Sequence, residues 1–236
     1  MIGDAAPGEA GASPQIVLRR LETVYGRPVW IPTLDPLEQL IQTVLSQHTS
    51  DVNADHAYRS LRARYPDWEA MRLAPIEQIA ESIRSGGLAD RKAATIHGIL
   101  NRLFADWEDP SLISLAHLPL ETAKARLTSL PGVGPKTAAC VLMFALGKPA
   151  LPVDTHVYRV SRRLGLIESS ISPEAAHSRL ESRLDPADVY SFHVGMITHG
   201  RRVCHARQPH CEVCVLNDIC RYYLNRGQLE SNETSN

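Results

Sequence analysis

Apolar residues recur at the spacing of an α-helix along most of this 236-residue chain. One such stripe consists of Leu37, Leu40, Ile41, Val44 and Leu45. Asp35 at the N-cap, with Pro36 and Glu38 in the first turn, predicts a capping box for this helix, and Asp51 is expected to cap the next one. His48 is expected to continue the stripe at its C-terminal end. Because the body of the chain has no convincing strand pattern and no internal repeat, the sequence predicts an all-α fold.

Length and charge limit how the chain is organised and what it attracts. At 236 residues, 44% of them hydrophobic, it can bury one large core or two smaller ones, and two lobes are expected. The formal net charge is only -1, so a surface that binds a polyanion must come from local segregation of charge. The arginines that suggest such a surface are Arg159, Arg162, Arg163, Arg201, Arg202, Arg207 and Arg221. The alternative is a solvated face beside acids such as Glu212 and Asp218.

The sequence has no run of about eighteen apolar residues, which a membrane span needs. It also lacks an N-terminal basic region followed by an apolar core, which a secretory signal needs. A soluble, cytoplasmic protein without a membrane partner is therefore expected. Residues 1–13, which are rich in Gly, Ala and Pro, and the tail 227–236 are expected to be disordered.

Residues 130–136 read Leu-Pro-Gly-Val-Gly-Pro-Lys and separate two helical patterns. Gly132 and Gly134 have no Cβ atom, so the backbone here can approach a phosphate closely. Pro135 suits the first position of the following helix, which places Lys136 in a first turn where free amides and the helix dipole favour an anion. The loop predicts a helix-hairpin-helix that contacts nucleic-acid phosphate. The alternative is an ordinary Gly-Pro connection between helices.

A carboxylate follows the hairpin on the next element, within Val153-Asp154-Thr155-His156. Asp154 can cap the helix that starts near Thr155. It can also act as an acid–base group in a reaction for which a lysine supplies the nucleophile. The two roles can coexist.

Four of the five cysteines occur within seventeen residues, with the spacing C-x6-C-x2-C-x5-C. They are Cys204, Cys211, Cys214 and Cys220. Disulfides are not expected in a reducing compartment, and four thiolates suffice for a zinc ion or a 4Fe–4S cluster. The spacing alone favours zinc slightly, because it contains a single C-x2-C pair. Cys140 falls on the apolar side of the hairpin helix and is expected to be an inert core thiol.

With Lys136, Asp154 and the cysteine tail, the chain resembles the endonuclease III family of helix-hairpin-helix DNA glycosylases from about Val17 to Leu224. The resemblance implies that Lys136 is the nucleophile and that Asp154 is the second catalytic group. It also identifies the cysteine spacing as the 4Fe–4S signature of that family, which reverses the preference for zinc.

The resemblance further implies a two-lobed architecture. Residues 29–148 would form a six-helix barrel domain that contains the hairpin. Residues 14–28 and 149–226 would form a discontinuous iron–sulfur cluster domain. Lys136 and Asp154 would then lie at the mouth of the cleft between the lobes, a common position for an active site.

The residues expected to contact DNA are Gly132, Val133, Gly134, Leu88, His48 and Arg207. The resemblance makes Leu88 a wedge in the base stack; without it, a loop leucine tucked into the core would be the better interpretation. His48 stands where the family usually has a glutamine that fills the hole left by the extruded base. This departure bears on damage and opposite-base preference rather than on the chemistry. Arg207 lies in the loop between the first two cysteines.

The implied function is base excision repair by a monomeric, bifunctional DNA glycosylase and abasic-site lyase. Its substrate would be double-stranded DNA that contains damaged bases, with oxidised or ring-saturated pyrimidines expected, or abasic sites. One alternative is a relative that removes a mismatched or alkylated base by direct hydrolysis. Another is a non-catalytic DNA-binding module with a zinc knot.

Overall fold

The computed structural model describes residues 12–225, and helices are the regular secondary structure of that part, which contains no strand. The predicted all-α fold is confirmed. The chain forms two compact units: a continuous unit, Trp30–Ala150, and a discontinuous unit, Met1–Val29 with Leu151–Asn236. Of the ends predicted to be disordered, residues 1–11 and 227–236 lie outside the described residues. Ala12 is buried, and Ser13 caps the first helix.

The described helices, in chain order, are α1 (Pro14–Tyr25), α2 (Pro36–Ser46), α3 (Asp51–Arg64), α4 (Trp68–Leu73), α5 (Ile76–Ser82), α6 (Ala89–Asp106), α7 (Leu120–Thr128), α8 (Pro135–Cys140), α9 (Thr155–Leu164), α10 (Pro173–Glu181) and α11 (Val189–Arg202). Short 3₁₀ turns occur at Arg84–Gly86, Ile113–His117, Pro186–Asp188, Cys211–Val213 and Asn217–Ile219. A π-helical turn, Val141–Ala145, continues α8.

Helix α2 is central to the continuous unit, where it packs against α3, α6, α8 and the π-helical turn. Its apolar stripe is buried, and Leu40, Ile41 and Val44 are completely inaccessible to solvent. Burying a side chain of this size stabilises a fold by about 1.5–3 kcal/mol. The helical spacing read from the sequence therefore identifies the face that builds this core.

The starts of α2 and α3 differ in detail from the capping predicted from the sequence. Asp35 occupies the N-cap of α2, but its side chain accepts no capping hydrogen bond. At α3 the N-cap is Ser50 rather than Asp51, and the hydroxyl of Ser50 accepts the amide of Asn53 at 3.3 Å. Asp51 lies in the first turn, where its negative charge complements the helix dipole.

The predicted hairpin connects α7 to α8. Gly132 adopts φ +71°, and a Cβ atom added there would lie 2.7 Å from Cγ2 of Thr95 on α6. Val133 is 6% exposed, and its amide donates to the carbonyl of Leu130 at 3.2 Å. Gly134 is extended, with φ -91° and ψ 177°, and an added Cβ atom would meet nothing within 4 Å. The fold thus requires a glycine at position 132 but not at position 134.

In the discontinuous unit, α11 packs against both α1 and α9. The contact with α1 is close at Gly195, where an added Cβ atom would lie 3.4 Å from Leu21. At Gly200 an added Cβ atom would lie 2.9 Å from the side chain of His156 on α9. Small residues on α11 therefore bring both neighbouring helices near its axis.

No helix of residues 12–225 has the length and apolar character that crossing a membrane would demand.

The different surroundings of the two hairpin glycines can be tested with a matched pair of alanine variants. We predict that Gly132→Ala lowers the free energy of unfolding by about 2 kcal/mol or more, because a left-handed backbone disfavours alanine by about 1–2 kcal/mol and the methyl group collides with Thr95. Gly134→Ala should change it by less than about 1 kcal/mol. Urea denaturation followed by circular dichroism measures both. Equal losses in the two variants would contradict the geometry.

Candidate functional site

Lys136 is the second residue of α8, in the continuous unit, and its side chain is exposed. The chain has four lysines, all of them among the described residues. The amines of Lys92 and Lys148 each donate to two backbone carbonyls, and Lys124 is paired with Glu121. Lys136 is the lysine whose amine has no hydrogen-bond partner among residues 12–225. Its amine is therefore free to meet a ligand.

The other predicted residues of this unit lie on loops. His48 lies beyond the end of α2, is exposed and adopts φ +54°, so its predicted place on the apolar stripe of that helix is wrong. Leu88 precedes α6, adopts φ +51° and is 53% exposed, which excludes the interpretation that it is tucked into the core. Gln47 donates to the hydroxyl of Thr137, next to Lys136, at 3.3 Å.

Val133 is the third hairpin residue expected to contact DNA. Its side chain is buried, and its amide is bonded within the turn. The hairpin can therefore present only Gly132 and Gly134 of this trio to a phosphate, and the open space above Gly134 is the more accessible of the two positions.

Asp154 belongs to the discontinuous unit and forms the N-cap of α9. Its Oδ1 accepts the amide of Val157 at 2.7 Å. The other carboxylate oxygen is not hydrogen-bonded to any residue in the described part of the chain. The cap therefore fixes the carboxyl group while one oxygen stays available.

The backbone just before Asp154 is held by side chains from α10 and α11. Nδ1 of His177 donates to the carbonyl of Leu151 at 2.8 Å, and Nδ1 of His193 donates to that of Pro152 at 2.9 Å. A carboxylate oxygen of Glu181 accepts the amide of Leu151 at 2.8 Å. The sequence gives no sign of these contacts, because they join residues far apart along the chain.

The four clustered cysteines line one cavity of the discontinuous unit, together with Arg163 and His199. Among the described residues, no group of three or more His, Cys, Asp or Glu side chains is arranged to hold a single metal ion. A 4Fe–4S cluster instead takes one thiolate on each of four irons. Four cysteines spread around a cavity fit this donor set.

Polar groups around the cavity are directed at the sulfur atoms. Arg163 donates to Sγ of Cys204 at 3.3 Å, and the amide of Leu216 donates to Sγ of Cys214 at 3.4 Å. Burial raises the pKa of the Cys214 thiol to about 11 and also raises the pKa of Cys220. Burial therefore favours the protonated form of the Cys214 and Cys220 thiols, and binding iron must displace these protons.

His199 on α11 completes these sulfur contacts. Burial lowers the pKa of His199 to about 4, so the ring is neutral at pH 7. Its Nε2 lies 3.5 Å from Sγ of Cys214, and its Nδ1 lies 3.2 Å from the hydroxyl of Tyr25. A metal-bound thiolate only accepts hydrogen bonds, so Nε2 must carry the proton and Tyr25 must donate to Nδ1.

Two arginines of the predicted basic surface are engaged in holding the loop after Cys204. Arg159 donates to the carbonyls of Gly200 and Cys204, each at 2.9 Å. Arg163 donates to the carbonyl of His205 at 2.6 Å. The arginine-rich stretch is therefore only in part a free surface. Arg207 is exposed on that loop.

Comparison with known proteins agrees with the resemblance read from the sequence. Residues 41–186 match the HhH-GPD superfamily of base excision DNA repair proteins. Residues 204–220, which run from Cys204 to Cys220, match the iron–sulfur binding domain of endonuclease III. The predicted 4Fe–4S cofactor is confirmed, and zinc is not supported.

Individual relatives give the extent of the similarity. Endonuclease III of Thermotoga maritima is 36% identical over 204 residues, which cover 83% of this chain and 87% of that protein. Endonuclease III of Rickettsia conorii is 42% identical over 99 residues, a match that spans only 47% of that protein. The structure of a non-covalent endonuclease III–DNA complex superimposes with a TM-score of 0.77 at 29% identity, covering 92% of this chain and 99% of that one.

A more distant structure, that of a thermostable thymine-DNA glycosylase, has a TM-score of 0.72 at 24% identity over 90% of the chain, and this likeness concerns the fold alone. The superfamily match covers more than half of the sequence, and the Thermotoga relative is similar over most of its length. The all-helical fold and the cysteine cavity agree with both. The chain therefore belongs to the endonuclease III family, within the HhH-GPD superfamily of base excision DNA repair proteins.

Proposed function

We propose that this member of the family is a bifunctional DNA glycosylase and abasic-site lyase that acts through a lysine imine. The observation that carries the proposal is the amine of Lys136, which is exposed on the hairpin and has no hydrogen-bond partner among the described residues. A hydrolytic glycosylase needs no amine at this place. An imine-forming enzyme does, and that amine must be free of other bonds.

In this reaction the unprotonated amine of Lys136 attacks C1′ of the target nucleotide. The bond between C1′ and the base breaks, its electron pair leaves with the base, and the base takes up a proton. The C1′–O4′ bond then breaks, O4′ takes up a proton lost by the nitrogen, and the nitrogen lone pair forms an imine with C1′. The imine makes the C2′ proton acidic, and its removal expels the 3′ phosphate by β-elimination. A site that excludes water favours the neutral amine.

Asp154 supplies the carboxylate that takes part in the proposed reaction. The oxygen that is not used by the helix cap accepts a proton from the attacking amine or stabilises positive charge at C1′. The cap and the fixed backbone of Leu151 and Pro152 determine where this oxygen lies. We therefore assign Asp154 both a structural and a catalytic role.

The DNA is held by the hairpin and by three exposed side chains. Relatives of this chain were solved as complexes with DNA, which supports the same partner here. Gly134 offers an open backbone surface to a phosphate. Leu88 enters the base stack in place of the extruded nucleotide, and His48 faces the vacated space. Arg207 contacts the backbone from the loop after Cys204.

The substrate class follows the family. We propose oxidised or ring-saturated pyrimidines in double-stranded DNA, because damaged bases are less strongly stacked and paired and are extruded at lower cost. His48 in place of the family's glutamine changes hydrogen bonding in the vacated space, so it affects which lesions and opposite bases are preferred. The protein acts as a monomer in the cytoplasm.

The cluster has a structural role in this proposal. When bound, it ties together residues 204–220, a segment with few buried apolar side chains of its own. Arg159 and Arg163 then fix the loop that carries Arg207 by binding its carbonyl groups. The cluster thereby positions a DNA contact and takes no part in the bond-breaking steps.

The role of Lys136 is tested by Lys136→Gln, with Lys124→Gln on the preceding helix, α7, as the control for a lysine outside the hairpin. The Lys136 variant should lose at least about 10³-fold in base excision, and it should form no covalent adduct with DNA in borohydride, since the amide cannot form an imine. It should still bind DNA. The control should behave as wild type. Wild-type enzyme that releases base without an adduct would instead indicate direct hydrolysis.

The two roles of Asp154 are separated by Asp154→Asn and Asp154→Ala. Asparagine keeps the helix cap, so its stability should match wild type, whereas alanine should lose about 1 kcal/mol. Both variants should lose about 10²–10⁴-fold in single-turnover excision, because neither has a carboxylate. Thermal melting and excision are measured on the same samples. Full activity in Asp154→Asn would show that the carboxylate is not catalytic and that Asp154 serves only as the helix cap.

The cofactor is tested by Cys214→Ser, with Cys140→Ser as the control for a buried thiol outside the cavity. Wild-type protein and the control should each contain about four irons per chain, whereas Cys214→Ser should lose most of them. Limited proteolysis should then cut the variant between residues 203 and 220. Zinc in place of iron, or equal iron loss in both variants, would contradict the assignment.

A further inference from the structure

Lys92 is a buried cation to which the reaction assigns no part. It lies in the first turns of α6 and is 3% exposed. Its Nζ donates to the carbonyl of Leu45 at 2.7 Å and to the carbonyl of Gly86 at 2.8 Å. Its backbone amide makes the ordinary first helical bond, to the carbonyl of the N-cap residue Leu88, at 3.0 Å. The two side-chain bonds thus connect α6 to the end of α2 and to the turn that precedes α6.

Each of these carbonyl groups lies within three residues of a non-glycine residue with a positive φ angle. His48 follows Leu45 by three residues and has φ +54°. Leu88 follows Gly86 by two residues and has φ +51°. A left-handed conformation disfavours non-glycine residues by roughly 1–2 kcal/mol and persists only where neighbouring contacts enforce it. Lys92 provides such contacts for both segments at once.

The cation also suits its surroundings electrostatically. Leu45 lies in the last turn of α2, where the carbonyl groups lack amide partners and the helix dipole is negative. Burial lowers the pKa of Lys92, because the charged form loses hydration. Two carbonyl oxygens replace part of that hydration. Through these two bonds the buried amine joins the end of α2 to the turn before α6.

We propose that Lys92 is a positioning residue that holds Leu88 and His48 in the one arrangement in which both can enter a DNA duplex as a nucleotide leaves it. This inference rests on the proposed function of those two residues. It places Lys92 in the step of base extrusion and outside the chemistry of the imine. The bond from Gln47 to Thr137 extends the same connection to the helix that carries Lys136.

The test compares two substrates, one that requires extrusion and one that does not. The first is a duplex with a ring-saturated pyrimidine, and the second is a single strand with an abasic site. Lys92→Met has a side chain of similar length without donors. It should slow single-turnover excision from the duplex by about tenfold or more, and a tenfold loss corresponds to about 1.4 kcal/mol in the activation free energy. Borohydride trapping on the abasic single strand should stay within about twofold of wild type.

A buried substitution also destabilises the fold, so the control is Leu103→Ala. Leu103 is fully buried on α6, about three turns from Lys92, and takes no part in the bonds from Lys92 to Leu45 and Gly86. Both variants are assayed at a temperature where circular dichroism shows them folded. Leu103→Ala should change the two rates equally. Hydrogen exchange of the amides in residues 46–50 and 84–88 should speed up in Lys92→Met alone.

The outcomes separate the inference from the proposed function. A wild-type enzyme that forms no adduct with either substrate overturns the imine mechanism itself. A normal wild type, with Lys92→Met impaired equally on both substrates or unimpaired on both, overturns only the role of Lys92. The same duplex-selective loss in Leu103→Ala also overturns it, because general instability would then explain the effect.

Discussion

The close approach of α6 to the hairpin is the contact on which the continuous unit depends. Gly132 allows it from the hairpin side, where any larger residue would collide with Thr95. Gly98 allows it from the α6 side, where an added Cβ atom would lie 3.2 Å from Pro131. Thr95 and Gly98 follow Lys92 at successive steps of three residues, so all three share one face of the helix. That side of α6 thus contacts the hairpin, the end of α2 and the turn before α6.

Features that depend on residues close together in the chain could be predicted from the sequence. The apolar stripe of α2 and the glycine hairpin depend on residues within a few positions of one another, and the cysteine spacing identified the cofactor with the help of the family. Local patterns are less accurate at chain turns. They predict that the apolar stripe continues to His48, although α2 ends at Ser46, and that Asp51 caps α3, where Ser50 does so. Serine and aspartate are both good capping residues.

The polar contacts that support the site could not be predicted in this way. Lys92 and Leu45 are 47 residues apart, and Arg159 and Cys204 are 45 apart. A lysine in a helical pattern ordinarily indicates a solvated face, and an arginine-rich stretch ordinarily indicates a free basic surface. Here the lysine is buried and two arginines bind carbonyl groups, because carbonyl groups at helix ends and in turns must find donors when they leave water.

Most of the positive charge of this chain is carried by arginine rather than lysine. The chain has 21 arginines but only four lysines. Arginine stays protonated and does not form imines, so it can hold loops without competing in the proposed reaction. Three of the four lysine amines are bonded to carbonyls or a carboxylate, whereas the amine of Lys136 has no such partner within residues 12–225. In the proposed mechanism, Lys136 is therefore the lysine whose amine is available to form an imine, while the arginines, which cannot form one, carry most of the remaining positive charge.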